Sequence, residues 1–469
     1  MNFSDDFFDF DSNSFFDDEK LKSKVKECKQ YVSSGQTIAY LNNIEDTIQL
    51  CLEYDFTEDG IYLVEAALEI SPYSYELWHS KGIFYNNLFD FEHAYKCLEK
   101  SLSLNPTDVE AMINKSISED NLGYWESAVK TLETALTIEP NNEEAVFNLG
   151  ILFERKDNFE KAIEYFKKTI YLDADYSDAW YELGFCYESI DKLDEALKAY
   201  DKFLEIDPYN ASGRYNCGII HLKMGNNTRA VNCFELATTI SEDFSNAWYN
   251  LGLSYLNLNR LADAKSSFNR AFELDPFDAD VTLRLAKTSE AMGEDDYAIN
   301  YFNATLKIDK SNIEAYIGRG NCFARRNNYN SALHDFAMVI KLTLAEKIEI
   351  NSNEDLKKDL INIYNIVAPY QKEQSYTTEE LNHFAKFFFK LGNWQAACNV
   401  YRKSIKQNPE NSSAHYGKAL SLFMLNKNQD AVNNLQIAFE LNPNTESIFL
   451  DKFESLDSTQ LYIKITSML

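Results

Sequence analysis

Proline and alanine recur along this chain at one fixed spacing, which limits the possible folds more than any other feature. Pro72, Pro106 and Pro140 are each 34 residues apart. Ten alanines keep a matching register: Ala94, Ala128, Ala162, Ala196, Ala230, Ala264, Ala298, Ala332, Ala397 and Ala431. The one irregular step, 65 residues before Ala397, holds a full period and one shortened to 31 residues. The length of 469 residues is therefore explained by a repeat array rather than by three separate domains.

Each period has the hydrophobic pattern of two short helices. Trp180, Gly184 and Tyr187 recur at helical spacing and lie on one face, and a second apolar stripe begins at Ala196. The small residue at Gly184 is expected to allow close approach of the paired helices. Pro208 is expected to end the second helix, because proline has no amide hydrogen and its ring clashes with the preceding turn.

This pattern resembles the tetratricopeptide repeat, which places a large residue, a small residue, an aromatic, Ala, an aromatic and Pro at fixed offsets. Ten repeats, numbered first to tenth, fit it and begin at residues 75, 109, 143, 177, 211, 245, 279, 313, 378 and 412. The resemblance implies an all-α fold, a right-handed superhelical solenoid of stacked antiparallel helix pairs. The first helix of each pair would line a concave groove.

The same register divides the chain into six segments. Residues 1–20 are expected to form a disordered arm, because they combine seven acidic residues with six Phe and lack the repeat pattern. The other segments are N-terminal helices with a degenerate repeat (21–74), eight consecutive repeats (75–346), a divergent repeat (347–377), two further repeats (378–445) and capping helices (446–469). A local irregularity is expected in the second repeat, where Lys115 and Glu119 replace apolar residues.

Composition and motifs argue against several classes of function. The chain has 45 Lys plus Arg against 74 Asp plus Glu, and this net charge of -29 repels nucleic acid. The sequence lacks the motifs of phosphate loops, dinucleotide sites, zinc proteases and nucleophile elbows, so catalysis and a cofactor are not predicted. The six His are scattered singly, so a metal site is not predicted either. Apolar runs are too short for membrane insertion. Eight Cys without a C-x-x-C pair favour reduced thiols and a cytoplasmic location.

The first helices carry the main candidate for a binding surface, with position 1 as the first residue of each repeat. Aromatic side chains fill position 5 and mostly aliphatic ones position 9 of the third to sixth repeats: Phe147, Tyr181, Tyr215 and Tyr249, then Ile151, Phe185, Ile219 and Leu253. Position 6 holds Asn114, Asn148, Asn216 and Asn250, with Glu182 interrupting. The family resemblance turns positions 5 and 9 toward the groove. The amides at position 6 both donate and accept hydrogen bonds, which suits an extended peptide. The alternative is that these residues only solvate a helix face.

A group of cations occupies the first helices of later repeats: Arg284, Lys287, Arg325, Lys386 and Lys390. In an acidic protein they would favour a carboxylate-rich ligand, unless they are isolated solvated side chains. The carboxylate clamp of chaperone-binding family members is not expected, because only Asn321 matches it and its lysine is missing.

These observations predict a non-catalytic scaffold that presents a concave groove to proteins or extended peptides. The alternative is a regulatory subunit or sensor whose repeat array changes curvature when it binds a ligand or its own N-terminal arm. Specificity in either case depends on variable groove residues rather than on the fold, so partner and oligomeric state stay open at this point.

Overall fold

The computed structural model describes residues 12–345, 377–390 and 392–443. This part of the chain consists of helices and turns, without a strand. The chain splits into two compact units, Met1–Ile240 and Ser241–Leu469, called here the N-terminal unit and the C-terminal unit. The predicted divergent repeat, apart from residue 377, and the predicted C-terminal capping helices lie outside the described residues.

The N-terminal unit begins with α1 (Ser12–Ser33) and a short 3₁₀ helix (Thr37–Tyr40). Six helix pairs follow: α2 (Leu41–Glu53) with α3 (Thr57–Ile70), α4 (Tyr75–Asn87) with α5 (Phe91–Leu104), α6 (Val109–Asn121) with α7 (Trp125–Ile138), α8 (Glu143–Glu154) with α9 (Phe159–Leu172), α10 (Ser177–Ser189) with α11 (Leu193–Ile206), and α12 (Ala211–Lys223) with α13 (Asn227–Ile240).

The described part of the C-terminal unit consists of five further pairs: α14 (Ser245–Asn257) with α15 (Leu261–Leu274), α16 (Ala279–Ala291) with α17 (Asp295–Ile308), α18 (Ile313–Arg325) with α19 (Tyr329–Ala345), α20 (Thr378–Lys390) with α21 (Trp394–Gln407), and α22 (Ser412–Met424) with α23 (Asn428–Leu441). In both units the first helix of each pair begins at the residue where the sequence period places it. The prediction of an all-α helical-repeat solenoid is confirmed.

Local chemistry at the helix ends explains these boundaries. Seven first helices are preceded by a side chain that accepts a hydrogen bond from a backbone amide of the first turn: Ser74, Asp108, Asn142, Asn210, Asp278, Asn312 and Asn411. Position 15, between the paired helices, has a positive φ throughout the described repeats, and Gly, Asn or Asp fills it everywhere except at Phe89. The turn is therefore encoded in nearly every repeat.

The core of each pair lies where the second helix crosses the first. The ten register alanines are all fully buried on the second helices. One turn further along, a large side chain at position 24 covers the small residue at position 8 of the first helix. A Cβ atom added to Gly150 would lie 2.5 Å from the ring of Phe166, and one added to Gly184 would lie 2.8 Å from the ring of Tyr200. The small residue thus makes room for a side chain from the paired helix, not only for close backbones.

Helix α1 overlaps the segment that the sequence assigns to the disordered arm. Helix α1 already begins at Ser12, and residues 1–11 lie outside the described part of the chain. Leu21, Val25 and Cys28 are buried at helical spacing against α2 and α3. This apolar stripe stabilises α1 as a helix, and the acidic segment just before the stripe continues the same helix.

The expected irregularity in the second repeat is also absent, because polar partners inside the fold satisfy the unusual residues. Helix α6 has the same 13-residue length as most other first helices, although Glu119 is fully buried. The hydroxyl groups of Ser127 and Thr131 each donate a hydrogen bond of 2.8 Å to its carboxylate. Lys115 Nζ lies 3.3 Å from the same carboxylate. A buried ion pair with hydrogen bonds therefore replaces the usual apolar contact.

One buried hydroxyl offers a direct test of this packing. Tyr200 is fully buried, and its hydroxyl has no hydrogen-bond partner among the described residues. The equivalent residue of the next repeat is Phe234, equally buried. We expect Tyr200→Phe to raise the free energy of unfolding by about 1 kcal/mol, because it removes an unsatisfied polar group. The matched change Phe234→Tyr should lower it by a similar amount. Urea unfolding followed by circular dichroism measures both, and a destabilised Tyr200→Phe would show that the hydroxyl is satisfied.

The buried ion pair yields a second prediction. Glu119→Ala should lower the free energy of unfolding by about 3 to 5 kcal/mol, because Lys115 and two hydroxyl groups lose their partner. Replacing both charged residues, Lys115→Leu with Glu119→Leu, should recover most of that loss, since apolar side chains of similar size need no partner. The same unfolding measurement applies. A double variant as unstable as Glu119→Ala would contradict this account.

Candidate functional site

Two of the predicted position 6 amides join successive first helices of the N-terminal unit. The amide nitrogen of Asn114 lies 3.2 Å from Nε2 of His79, and that of Asn216 donates to the hydroxyl of Tyr181 at 3.0 Å. Each contact links position 6 of one repeat to position 5 of the repeat before it. The structure therefore brings the predicted residues Asn216 and Tyr181 together and pairs Asn114 with His79, which was not predicted, and both contacts lie between repeats.

The position 6 amides also bind their own helices. The side-chain nitrogen of Asn148 donates to the carbonyl oxygen of Glu144 at 2.9 Å, and that of Asn250 to the carbonyl oxygen of Asn246 at 3.0 Å. Each of these bonds uses one of the two N–H groups of the carboxamide. Part of the hydrogen-bonding capacity of these side chains is therefore used within the protein.

The position 5 aromatics are half-buried because they pack on the large side chain at position 24 of their own repeat. Ring centroids are 5.5 Å apart for Phe147 and Phe166, and 5.7 Å apart for Tyr181 and Tyr200. The same pairing recurs at 5.6 Å for Tyr215 with Phe234 and at 5.7 Å for Tyr249 with Phe268. These rings extend the core toward the surface, a role that the sequence pattern did not distinguish from ligand contact.

Position 9 is the more accessible apolar position. Phe185 is 41% exposed, while Ile151, Ile219 and Leu253 are half-buried. Ile151 and Asn148 line a small cavity of about 50 Å³ between α6 and α8. The first-helix surface of the N-terminal unit thus offers apolar side chains over several repeats, with polar groups between them.

Two of the five cations in the predicted basic segment are neutralised by acidic neighbours. Lys287 forms an ion pair with Glu314. Arg325 binds Asp295 at 2.7 Å and Glu290 at 3.1 Å. Of the other predicted cations, Arg284 is half-buried, Lys386 is exposed, and the Lys390 side chain lies outside the described part of the chain. A carboxylate-rich ligand would therefore compete with carboxylates of this chain at Lys287 and Arg325.

Arg325 belongs to a recurring contact that the sequence reading missed. An acid at position 12 of one repeat pairs with a base at position 13 of the next, 35 residues further on: Asp120 with Arg155, Glu188 with Lys223, and Glu290 with Arg325. The Glu188 and Lys223 atoms are 2.7 Å apart. The sequence does contain a signal for these pairs, because each acid is followed 35 residues later by a base, which is one 34-residue period plus one residue. These pairs fasten adjacent first helices to each other.

The contact between the third and fourth repeats has the acid of this pattern but not the base. Position 12 is Glu154, but position 13 of the next repeat is Ser189, and the carboxyl group of Glu154 instead meets Glu182. Burial, followed by the charge of Glu182, raises the pKa of Glu154 to about 7. The sequence reading saw Glu182 only as an interruption of the asparagine series.

Among the described residues, no group of three or more His, Cys, Asp or Glu side chains is arranged to hold a metal ion. The described helices include none with the length and apolar character required to cross a bilayer.

Comparison with known families supports the repeat register. Models of the tetratricopeptide repeat match residues 75–108, 114–176, 177–210, 211–244 and 245–278. A model of subunit 3 of the anaphase-promoting complex, or cyclosome, matches residues 360–438, part of which lies outside the described residues. No curated protein matches the chain significantly.

Solved structures with similar folds include repeat proteins from several sources. YrrB, a TPR protein with an unusual peptide-binding site, is 23% identical over 40% of this chain and 97% of its own, with a TM-score of 0.37. The C-terminal part of a TPR repeat-containing protein from Cytophaga hutchinsonii is 18% identical over 51% of this chain and 98% of its own, with a TM-score of 0.42. A tetratricopeptide repeat protein from Parabacteroides merdae is 18% identical over 58% of this chain and 99% of its own, with a TM-score of 0.38.

Scores this low carry no argument about a partner or a site. The family models and the helix pairs that share their register do decide the family. On both grounds, this chain belongs to the tetratricopeptide repeat family.

Proposed function

We propose that this protein is a non-catalytic scaffold that binds proteins or extended peptides on the first-helix surface of its N-terminal unit. Membership of the tetratricopeptide repeat family supports a role in protein interaction in general terms. The observation that carries the more specific proposal is the partly exposed apolar side chain at position 9 of three consecutive repeats, Ile151, Phe185 and Ile219. A ligand that covers these side chains removes apolar surface from water, which favours binding.

Polar groups beside this apolar surface suit a peptide main chain. One N–H of the Asn148 side chain donates to Glu144, while its carbonyl oxygen has no partner among the described residues and can accept a bond from a peptide amide. Exchange of the internal amide bonds for bonds to a ligand contributes little net free energy, because one hydrogen bond replaces another. Apolar contact at position 9 is therefore expected to supply most of the affinity.

In the C-terminal unit, Tyr249, Asn250 and Leu253 repeat the same pattern and form a separate candidate contact.

Charge favours a neutral or basic partner over an acidic one. The protein has a net charge of -29, and two of the predicted groove cations, Lys287 and Arg325, already bind acidic side chains. Acidic ligands would meet long-range repulsion from this net charge, and at Lys287 and Arg325 they would also compete with carboxylates of the chain. The eight Cys are all thiols, which supports a reducing compartment, and we place the scaffold in the cytoplasm as part of this proposal.

Position 9 substitutions test the proposed surface. We expect Phe185→Ala and Ile219→Ala each to weaken binding by roughly tenfold, since each removes apolar contact of about 1 to 2 kcal/mol. Asn148→Ala should weaken binding by less than about tenfold, because its amide is bonded within the protein. Partners captured by the full chain are purified, and their affinities for each variant are measured by titration calorimetry.

The matched control is Tyr171→Ala on the second helix α9, where the side chain is 87% exposed. This control should bind as the parent does, and thermal melts should show that all variants stay folded. If Phe185→Ala and Ile219→Ala bind normally while Tyr171→Ala does not, the ligand lies on the second-helix surface and the proposal is wrong.

A further inference from the structure

The junction between the third and fourth repeats lacks the cation that is present at the two flanking junctions. On one side of it, Asp120 pairs with Arg155, and on the other side Glu188 pairs with Lys223. Between these two ion pairs, the acid is Glu154 and the position of the base is taken by Ser189. A serine hydroxyl carries no charge, so the carboxyl group of Glu154 has no counterion from the next repeat.

A second carboxyl group occupies this place instead. Glu154 and Glu182 are in hydrogen-bonding contact, and both side chains are half-buried between α8 and α10. The thiol of Cys186 donates to Glu154 Oε2 with a sulfur to oxygen distance of 3.9 Å. Two carboxylates in contact repel each other strongly when both are ionised, whereas a single proton between them converts repulsion into a hydrogen bond.

The charged groups around the pair do not supply the missing cation. Arg155 adjoins Glu154 on α8 but binds Asp120 of α6. On α10, Asp178 adds negative charge near Glu182, and Glu188 is paired with Lys223 of α12.

Two of the three lysines of α9 lie over aromatic rings, and the third, Lys168, is exposed. Lys161 Nζ lies 4.5 Å from the ring centroid of Phe153, and Lys167 Nζ lies 5.4 Å from that of Tyr187. Glu154 is thus in contact with Glu182 and with the neutral thiol of Cys186, and the opposing charge of Arg155 affects its pKa less than burial and the charge of Glu182 do.

We propose that Glu154 and Glu182 form a proton-dependent fastening between the third and fourth repeats, in which one shared proton replaces the cation used at the neighbouring junctions. The proton resides on Glu154, which donates to Glu182. Loss of that proton leaves two anions in contact and weakens the attachment of α8 to α10. The repeat array then contains one junction that responds to pH, while the flanking junctions keep their ion pairs.

The direction of the effect follows from the titration of Glu154. Its pKa is raised from the ordinary 4.5 to about 7 in the folded protein. A carboxyl group with a raised pKa holds its proton more tightly when folded, so its stabilising effect is complete below about pH 4.5. That contribution decreases as the pH rises and is lost once the pH passes about 7. The junction should therefore open more readily at pH 8 than at pH 5.5.

Hydrogen exchange measured by mass spectrometry on the full chain tests this inference. After correction for intrinsic exchange, the opening constant of peptides from α8 and α10 should increase with pH by at most tenfold per unit between about 4.5 and 7. Glu154→Gln keeps the hydrogen bond to Glu182 but cannot titrate, and it should abolish this increase. Ser189→Lys restores a base at position 13, so it should also abolish the increase and raise protection at pH 8.

The matched control is Glu188→Gln at the next junction, where the acid already has a cation. It should lower protection at every pH without changing the pH dependence seen in the parent. The inference is overturned if the parent shows no more pH dependence than Glu154→Gln, or if Ser189→Lys keeps the dependence of the parent. Because Ser189→Lys adds a stabilising pair, it provides an answer even if Glu154→Gln folds poorly.

Discussion

The contact between position 24 of each second helix and position 8 of each first helix underlies the rest of this structure. Phe166, Tyr200, Phe234 and Phe268 are fully buried at this point and lie against Gly150, Gly184, Gly218 and Gly252. Burial of such a side chain stabilises the fold by about 1.5 to 3 kcal/mol, and the contact is local to one helix pair. Because it fixes the rotation of the first helix about its axis, it also decides which positions of that helix face away from the pair.

The same contact determines which side chains lie on the surface of the first helices. The aromatics at position 5 rest on the same buried ring, as Tyr181 does on Tyr200, so the floor of the proposed binding surface is continuous with the core of each repeat. Contacts between successive first helices then fall at a separation of 35 residues. Asn216 meets Tyr181, and Lys223 meets Glu188, through the same one-residue offset. One helix orientation therefore explains the packing, the amide contacts and the ion pairs together.

Electrostatics in this protein act mainly between repeats. The chain has fewer bases than acids, and several of those bases are held in ion pairs between successive repeats. A ligand on this surface would meet apolar side chains such as Phe185 more readily than unpaired cations. Where a base is missing, at Ser189, the acids must be accommodated by protonation, and this links one junction to pH in a range near neutrality. Family membership alone would not have distinguished this junction from its neighbours.

The sequence by itself determined the helix pairs and their register, because proline, the buried alanines and the small residues at position 8 act through local geometry that repeats every 34 residues. Tertiary structure decided the roles of the candidate site residues. Tyr181 was recognisable as a surface candidate, but only packing shows that its ring lies on Tyr200 and that its hydroxyl accepts a bond from Asn216. Likewise, the roles of Arg325 and Glu119 became clear only from their partners in other helices, which are Asp295 for Arg325 and Ser127 for Glu119. Periodicity fixes which face of a helix a residue occupies, whereas the groups opposite that face come from other helices and are set only when these pack together.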